Sequence, residues 1–271
     1  MLRDIQAKGK AHQTVVKVYT VIRSLLKMAY MEDVIDRNPM DKVERPKPRK
    51  DEIKKSGEEA YTAEEVRYIM ECLRKEPLKW QAYLCLLIDT GIRRGEGCGL
   101  TWDNIDFDAG TVTIDKNVNY TKERGIYVDT PKNRRIRRFD VAPHVLSLLR
   151  QMKEEQNRNG IQTNWVFTQN DSGEVMFPHS PNRYMTNFMK KYGIQHLHPH
   201  KLRYSFASIA ITNGADVASV SEKLGHSDKA VTTLRMYTHA NEESIRRAGE
   251  VFRDALPPIR RGSHKKAARQ I

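Results

Sequence analysis

The chain has 271 residues, of which 39% are apolar and 30% are charged, and its formal net charge at pH 7 is +13. This length predicts one or two domains with a substantial hydrophobic core, and the positive charge favours a polyanionic partner, above all nucleic acid. A solubilising charged surface is the alternative that charge alone leaves open. No apolar run approaches the roughly 20 residues of a membrane span, and the three widely spaced cysteines suggest neither a disulfide framework nor a CxxC metal site. We therefore expect a soluble cytoplasmic protein without membrane contacts.

The first predicted element is an amphipathic helix over residues 12–35, where apolar side chains recur at intervals of three and four. The apolar stripe consists of Val15, Val18, Ile22, Leu25, Leu26 and Ala29. One helix cannot bury such a stripe alone, so residues 1–40 are predicted to be part of a larger helical domain, in a chain truncated at its N-terminus. Residues 41–56 contain several lysines and prolines and are predicted to form a basic linker.

A second domain is predicted over residues 57–256, and it begins with helices. Thr62 and Glu65 have the spacing of a capping box, which marks the start of a helix. An apolar segment over residues 80–87 leads to a Thr-Gly pair, and residues 93–100 are predicted to form a short helix beyond it.

The pattern then changes to strands before helices return. Residues 111–114, 126–128 and 136–141 are β-branched or aromatic runs between turn-like stretches, which predicts three antiparallel strands. Further helices are predicted at residues 145–152, 184–192, 201–212, 216–224, 229–237 and 242–256, with a short strand at residues 165–167 and a basic flexible tail at residues 257–271. The predicted fold is mixed α/β and mostly α-helical, with a small three-stranded antiparallel sheet.

Tyr237 follows His226 by eleven residues and has the surroundings of a nucleophile. A tyrosine hydroxyl titrates at about pH 10, so its attack on a phosphodiester at neutral pH requires nearby cations or a base. Guanidinium groups suit a target that gains negative charge in the transition state, and Arg93 and Arg203 are the candidates. A lysine whose pKa is lowered by neighbouring cations can protonate the leaving alkoxide, and Lys132 in the turn of the sheet fits that role.

Five segments, in their order and spacing, resemble the tyrosine recombinase or phage integrase family. They are residues 90–96, 130–132, 200–203 and 224–226, followed by Tyr237. The resemblance spans nearly the whole chain, because residues 12–48 are also similar to the closing part of the family's core-binding domain. It implies a DNA-breaking and rejoining enzyme, the integrase of a mobile element, with residues 1–40 as part of a DNA-binding domain.

The resemblance also implies the chemistry of the site. Arg93 and Arg203 would grip the scissile phosphate, and Tyr237 would form a 3′-phosphotyrosyl bond. Lys132 would protonate the 5′ leaving oxygen. The phosphotyrosine would hold the bond energy until a DNA hydroxyl attacks it, so no cofactor, metal or ATP is implied.

Three further residues receive supporting roles from the resemblance. His200 would act as a base or hydrogen-bond partner, and His226 would contact the phosphate. Glu96 would orient the first arginine. The implied catalytic set is Arg93, Lys132, His200, Arg203, His226 and Tyr237.

Duplex DNA attachment sites are the implied partner, with a homotetramer on two synapsed sites and a monomer when free. DNA-bending accessory proteins are further candidate partners, and the protein would be associated with the nucleoid. The residues expected to contact DNA outside the catalytic set are Lys47, Arg49, Lys50, Arg134, Arg135 and Arg137.

Other interpretations of the same residues remain. The chain could be a catalytically inactive DNA-binding remnant, or a type IB topoisomerase-like enzyme that cuts and swivels one duplex. Alternating His196, His198 and His200 are compatible with zinc ligands on a strand, but a proline interrupts that strand and no cysteine or carboxylate completes the set.

Gly97 and Gly99 are expected to weaken the helix after Arg93 by about 1 kcal/mol each relative to alanine, and so to loosen the support of that arginine.

Overall fold

The computed structural model describes residues 4–5, 8–47, 60–131, 135–170 and 172–225, and the chain divides into two compact units, Met1–Glu59 and Ala60–Ile271. The helix predicted at residues 229–237, the final helix at 242–256 and the tail at 257–271 therefore lie outside the described part of the chain.

The first unit contains helix α1, His12–Met31, and a short 3-10 turn, Pro39–Lys42. The predicted helix is confirmed, although it ends at Met31 because the chain turns at Asp33, which has a positive φ of 54°. Only Val15 and Tyr19 of the helix are buried, whereas Leu25 of the predicted stripe is 55% exposed. The apolar stripe is thus only partly covered within this unit.

The second unit begins with three helices in close succession. Helix α2, Ala63–Leu73, starts with the predicted capping box, in which the Thr62 hydroxyl and the Glu65 carboxylate each accept a backbone N–H of the other residue. Helix α3, Leu78–Thr90, is buried along most of its length and packs against α2 and three later helices. Gly91 has a φ of 64° and ends α3, because this left-handed conformation is most accessible to glycine. Helix α4, Arg94–Cys98, follows at once.

The strands form two small antiparallel sheets. Strands β1, Ile105–Asp106, β2, Thr111–Ile114, and β5, Arg137–Asp140, make a three-stranded sheet in the order β1-β2-β5. Strands β3, Asn117–Thr121, and β4, Gly125–Asp129, make a separate hairpin.

One of the three strands predicted for a single sheet therefore belongs to the separate hairpin. The strand predicted at residues 126–128 pairs with β3 and not with the other two predicted strands. Strand β3 was not predicted, because Asn117 and Asn119 are poor strand formers. Its packing against α4 outweighs the low strand propensity of these asparagines. The prediction of a mostly helical domain with small antiparallel sheets is confirmed.

Four helices complete the described part of the second unit. They are α5, Pro143–Arg158, α6, Ser180–Tyr192, α7, Pro199–Thr212, and α8, Val217–Leu224. Helices α5 and α7 both pack on α3, which places α3 at the centre of the core. Within the described residues, no helix is long and apolar enough to cross a membrane.

The strand predicted at residues 165–167 is reduced to an isolated bridge between Thr101 and Trp165. The side-chain amide of Gln156 donates to the carbonyls of Trp165 and Val166, at 3.4 and 3.0 Å. In a β-ladder these two carbonyls would accept backbone N–H groups of a neighbouring strand. Here they accept hydrogen bonds from the buried Gln156 side chain, so no regular strand forms.

Candidate active site

Arg93 stands at the N-terminus of α4, where Glu96 holds both its backbone and its side chain. The Arg93 backbone N–H donates to Oε2 of Glu96 at 2.8 Å, and its Nη1 donates to Oε1 at 2.9 Å. Glu96 is buried, with a side chain that is 0% exposed, whereas the Arg93 side chain is 23% exposed. The carboxylate therefore fixes a guanidinium that solvent can still reach.

The glycines of α4 let this short helix approach its neighbours closely. A Cβ atom on Gly95 would lie 2.5 Å from the carbonyl oxygen of Val118 in β3, and one on Gly97 would lie 3.1 Å from the ring of Tyr83 in α3. A Cβ atom on Gly99 would lie 3.2 Å from the carbonyl oxygen of Lys116. The expected loosening of the support of Arg93 is therefore opposed by tight packing that larger residues would disturb.

Arg203 lies on α7 and is 4% exposed. Its Nη1 donates to the carbonyl of Gly91 at 2.8 Å, and its Nη2 donates to the carbonyl of Leu224 at the end of α8. His200 is exposed in the first turn of the same helix, three residues earlier, and so lies on the same side of α7 as Arg203. His198 caps this helix by accepting the backbone N–H of Lys201 through Nδ1, at 3.2 Å.

Arg137 on β5 is a third arginine of this cluster, and the sequence interpretation missed its place. Its side chain is 9% exposed, and Nη2 lies 2.5 Å from Oε1 of Glu96 in an ion pair. That contact is one of charge, since Nη2 makes no well-directed hydrogen bond. Arg137 was predicted to contact DNA. Its side chain points inward, because it shares a face of the strand with buried Phe139. The alternation of Arg137, Phe139 and Val141 was the signal in the sequence.

The last carbonyls of α8 are where the three arginines meet. Arg137 donates through Nη1 to the carbonyls of Lys223 and Leu224, at 3.1 and 3.0 Å. Arg93 donates through Nη2 to the carbonyl of Gly225 at 3.1 Å. Helix C-terminal carbonyls have no partner within the helix and carry partial negative charge, so guanidinium groups stabilise them.

The structure thus brings together three of the predicted residues, Arg93, Glu96 and Arg203, and adds Arg137 to them. Of the other predicted catalytic residues, His200 lies in the first turn of α7, three residues before Arg203, whereas Lys132, His226 and Tyr237 lie outside the described residues.

The charges of this arginine cluster, defined as Arg93, Arg137 and Arg203, exceed the single charge of Glu96. Burial raises the pKa of Glu96, but the charge of Arg137 and the hydrogen bond from the Arg93 backbone outweigh it, so this pKa lies below its ordinary value. Burial, and then the charge of Arg93, lowers the pKa of Arg203 to about 9, and the group remains a cation at neutral pH. An anion that enters beside these cations would be stabilised by them.

Some of the other predicted DNA contacts are exposed residues of the described structure, and the rest lie outside it. Lys47, in the first unit, and Arg135, before β5, are exposed. Arg49, Lys50 and Arg134 lie outside the described residues. In the ranges that the structure describes, no three His, Cys, Asp or Glu side chains gather as metal ligands would.

Tyrosine recombinases are similar to this chain over most of its length. Tyrosine recombinase XerA of Pyrococcus furiosus is 25% identical over 254 residues, which cover 92% of this chain and 77% of that protein. Tyrosine recombinase XerC of Bacillus subtilis is 27% identical over 246 residues, 90% of this chain and 76% of that protein. XerC of Xylella fastidiosa is 31% identical over 184 residues, 68% of this chain and 55% of that protein.

Solved structures share the fold. The Tn1549 transposon integrase in complex with a circular intermediate DNA has a TM-score of 0.77 at 20% identity, over 93% of this chain and 83% of that one. A lambda integrase dimer bound to a core site has a TM-score of 0.58 at 17% identity, over 83% of this chain and 76% of that one. The phage integrase family model matches residues 59–244. From this match over more than half of the chain, and from its recombinase relatives, we conclude that the chain belongs to the phage integrase family of tyrosine recombinases, a class of DNA recombinases.

Proposed function

We propose that the chain is a site-specific recombinase that cleaves and rejoins duplex DNA through a 3′-phosphotyrosyl intermediate on Tyr237. One observation carries the proposal: the guanidinium groups of Arg93 and Arg203 meet at the end of α8, beside a buried carboxylate, in a cluster with excess positive charge. A phosphodiester is the anion that suits two such groups, because guanidinium forks match its oxygens in geometry and charge.

The arginines support phosphate binding in two ways. Arg93 is partly exposed and is preorganised by Glu96, so it can receive a phosphate oxygen without a large rearrangement. Arg203 is held among other cations, and an incoming anion would relieve their mutual repulsion. Both groups would then stabilise the charge that grows on the phosphoryl oxygens in the transition state.

The chemical step is a displacement at phosphorus. The Tyr237 hydroxyl gives its proton to His200, which acts as the base, and its oxygen forms a bond to the phosphorus. The bond to the 5′ oxygen breaks, and Lys132 gives that oxygen its proton. His226 would contact the phosphate. Attack by a 5′ hydroxyl on the phosphotyrosine reverses the step and rejoins a strand.

The cellular role that we propose is integration or excision of a mobile element. The likeness in fold to a transposon integrase bound to a circular intermediate DNA supports this role. The similarity to Xer tyrosine recombinases supports recombination in general. Residues 1–40 would be part of a DNA-binding domain, residues 41–56 a linker, and residues 57–256 the catalytic domain. A tetramer on two synapsed sites is the proposed assembly.

A nicked duplex library with a randomised central segment tests the proposed function. Cleavage beside the nick releases a short fragment, so that the covalent adduct cannot be reversed. We expect an adduct that is stable to SDS, that forms in EDTA and that is lost in Tyr237→Phe. Sequencing of the trapped DNA then gives the preferred site.

Tyr120→Phe is the matched control, since it removes the hydroxyl of a tyrosine that is 39% exposed in β3. It should form adduct at the wild-type rate. DNA binding without an adduct in the wild type would contradict the proposal and favour an inactive DNA-binding remnant. Relaxation of supercoiled plasmid regardless of sequence would favour a topoisomerase-like enzyme.

A further inference from the structure

We propose that Arg137 is a positioning residue of the site, which links Glu96 to the last turn of α8 and thereby sets the place of the Arg93 guanidinium. The proposal rests on the proposed function for its catalytic consequence, and on geometry for its structural one. Its starting point is that one guanidinium group touches both the carboxylate that orients Arg93 and the carbonyls that close α8.

The contacts of Arg137 use both ends of its fork. Nη2 lies 2.5 Å from Oε1 of Glu96, the same oxygen that accepts from Nη1 of Arg93 at 2.9 Å. Nη1 donates to the carbonyls of Lys223 and Leu224. A lysine at this position could not span these groups, because a single ammonium lacks the planar fork.

The neighbouring backbone fits this guanidinium closely. A Cβ atom on Gly225 would lie 3.2 Å from Cδ, Nε and Cζ of Arg137, and Gly225 has a φ of 66°. Cζ of Arg137 also lies 5.5 Å from the centre of the Phe139 ring. The side chain is therefore confined between strand β5 and the end of α8, as a positioning residue requires.

Loss of Arg137 should alter the site in a defined way. Glu96 would keep one of its two ion-pair partners, and two carbonyls of α8 would lose a donor. The Arg93 guanidinium, which contacts both Glu96 and Gly225, would lose its fixed position. A displacement of this kind slows chemistry more than it weakens binding, since a misplacement of about 1 Å costs about 100-fold in rate.

The test measures cleavage and DNA affinity separately in Arg137→Ala, with Arg138→Ala as the matched control. Arg138 is the next residue on the strand, but its side chain is 59% exposed and pairs with Asp106. At saturating suicide substrate we expect the single-turnover rate to fall about 100-fold in Arg137→Ala. The dissociation constant for DNA should stay within about threefold of wild type, because other phosphate contacts supply most of the affinity.

Chemical rescue separates positioning from general stability. Guanidinium ion, added below denaturing concentrations, should raise the rate of Arg137→Ala at least about tenfold and leave the wild type unchanged. Arg137→Lys should remain slow. Arg137→Gln, which keeps a donor for the carbonyls, gives a second variant if the alanine variant folds poorly.

Hydrogen–deuterium exchange over residues 217–225 tests, independently of cleavage, whether Arg137 stabilises the end of α8. We expect faster exchange of this segment in Arg137→Ala and wild-type exchange in Arg138→Ala. A wild-type rate and wild-type exchange in Arg137→Ala would overturn the proposal, and so would a loss of rate matched by an equal loss of DNA affinity. If the wild type forms no adduct, the proposed function fails, while the exchange experiment still decides the role of Arg137.

Discussion

Arg137 and Arg138 are neighbours on one strand, yet they belong to two very different regions of the molecule. Arg137 faces the interior with Arg93 and Arg203, where backbone carbonyls and one buried carboxylate surround all three. Arg138 faces outward, and its Nη2 lies 3.2 Å from Oδ2 of Asp106. The side chain of Arg138 is 59% exposed and that of Asp106 is 50% exposed. The direction of the side chain, and not the density of positive charge, separates the candidate site from the surrounding basic surface.

The two regions should respond differently when a charge is removed. An exposed ion pair is screened by solvent and contributes about 0 to 1 kcal/mol to folding. A buried pair that loses one partner leaves an uncompensated charge, which costs about 3 to 5 kcal/mol.

The largest effect is expected from Arg203→Ala. This change removes a proposed phosphate ligand and the donor to the Gly91 carbonyl, and it leaves the Leu224 carbonyl with Arg137 as its remaining side-chain donor. We expect the rate of adduct formation to fall about 10³-fold, as for loss of a transition-state donor. Single-turnover cleavage at saturating DNA measures it, and a fall of less than tenfold would contradict the proposed role of Arg203.

Glu96→Gln should have the next largest effect, on stability. The substitution keeps the shape of the side chain but removes the buried negative charge with which Arg93 and Arg137 form ion pairs. We expect the free energy of unfolding to fall by about 3 kcal/mol, measured by urea denaturation at neutral pH. A loss below about 0.5 kcal/mol would mean that the cluster does not depend on this carboxylate.

The stabilisation by Glu96 should depend on pH in one direction. Its pKa in the folded protein lies below the ordinary value of 4.5, so the stabilisation is complete above about pH 4.5 and is lost as the pH falls through the folded-state pKa. Urea denaturation of wild type and Glu96→Gln should therefore show a constant difference near neutral pH that shrinks below pH 4.5. A difference that persists undiminished to about pH 3 would argue against the ion pairs as its source.

Gly95→Ala should destabilise the support of Arg93 by a smaller amount. The added methyl group would meet the side chain of Asn117 and the carbonyl of Val118, so α4 must move away from β3. We expect a loss of about 1 to 3 kcal/mol in the free energy of unfolding, as for other overpacked sites. Gly97→Ala is the milder control, because its nearest contacts are side-chain atoms of Tyr83 and Leu87 at 3.1 and 3.3 Å.

The smallest effect is expected from Asp106→Asn, in the exposed pair. Solvent screening should keep the change in unfolding free energy below about 0.5 kcal/mol. The same urea measurement at low and at high salt should give nearly equal values. A loss as large as that of Glu96→Gln would remove the distinction between the two regions.

The sequence predicted the local elements of the second unit well where one segment carries its own signal. The capping box at Thr62 and Glu65 and the glycine that ends α3 both form as expected. Strand β3 could not be recognised in this way, because its asparagines are poor strand formers and its packing against α4 outweighs their preference.

The candidate site shows the same division. Arg93, Glu96 and Arg203 could be named from a family resemblance, but their contacts with the end of α8 depend on packing between distant segments. Arg137 was grouped with the DNA contacts because it lies in a run of basic residues, whereas its alternation with Phe139 indicates a side chain that points inward. Register within a sheet decides which arginine faces inward, and composition carries no information about it.

The sequence distances spanned by the arginine contacts have a consequence for folding. Arg93 and Gly225 are 132 positions apart, Arg203 and Gly91 are 112 apart, and Arg137 and Leu224 are 87 apart. Contacts of such separation form late, because the chain must lose the entropy of closing long loops before they stabilise it. A nascent or half-folded chain would carry the same arginines without the assembled cluster, so the proposed phosphate binding would await completion of this domain.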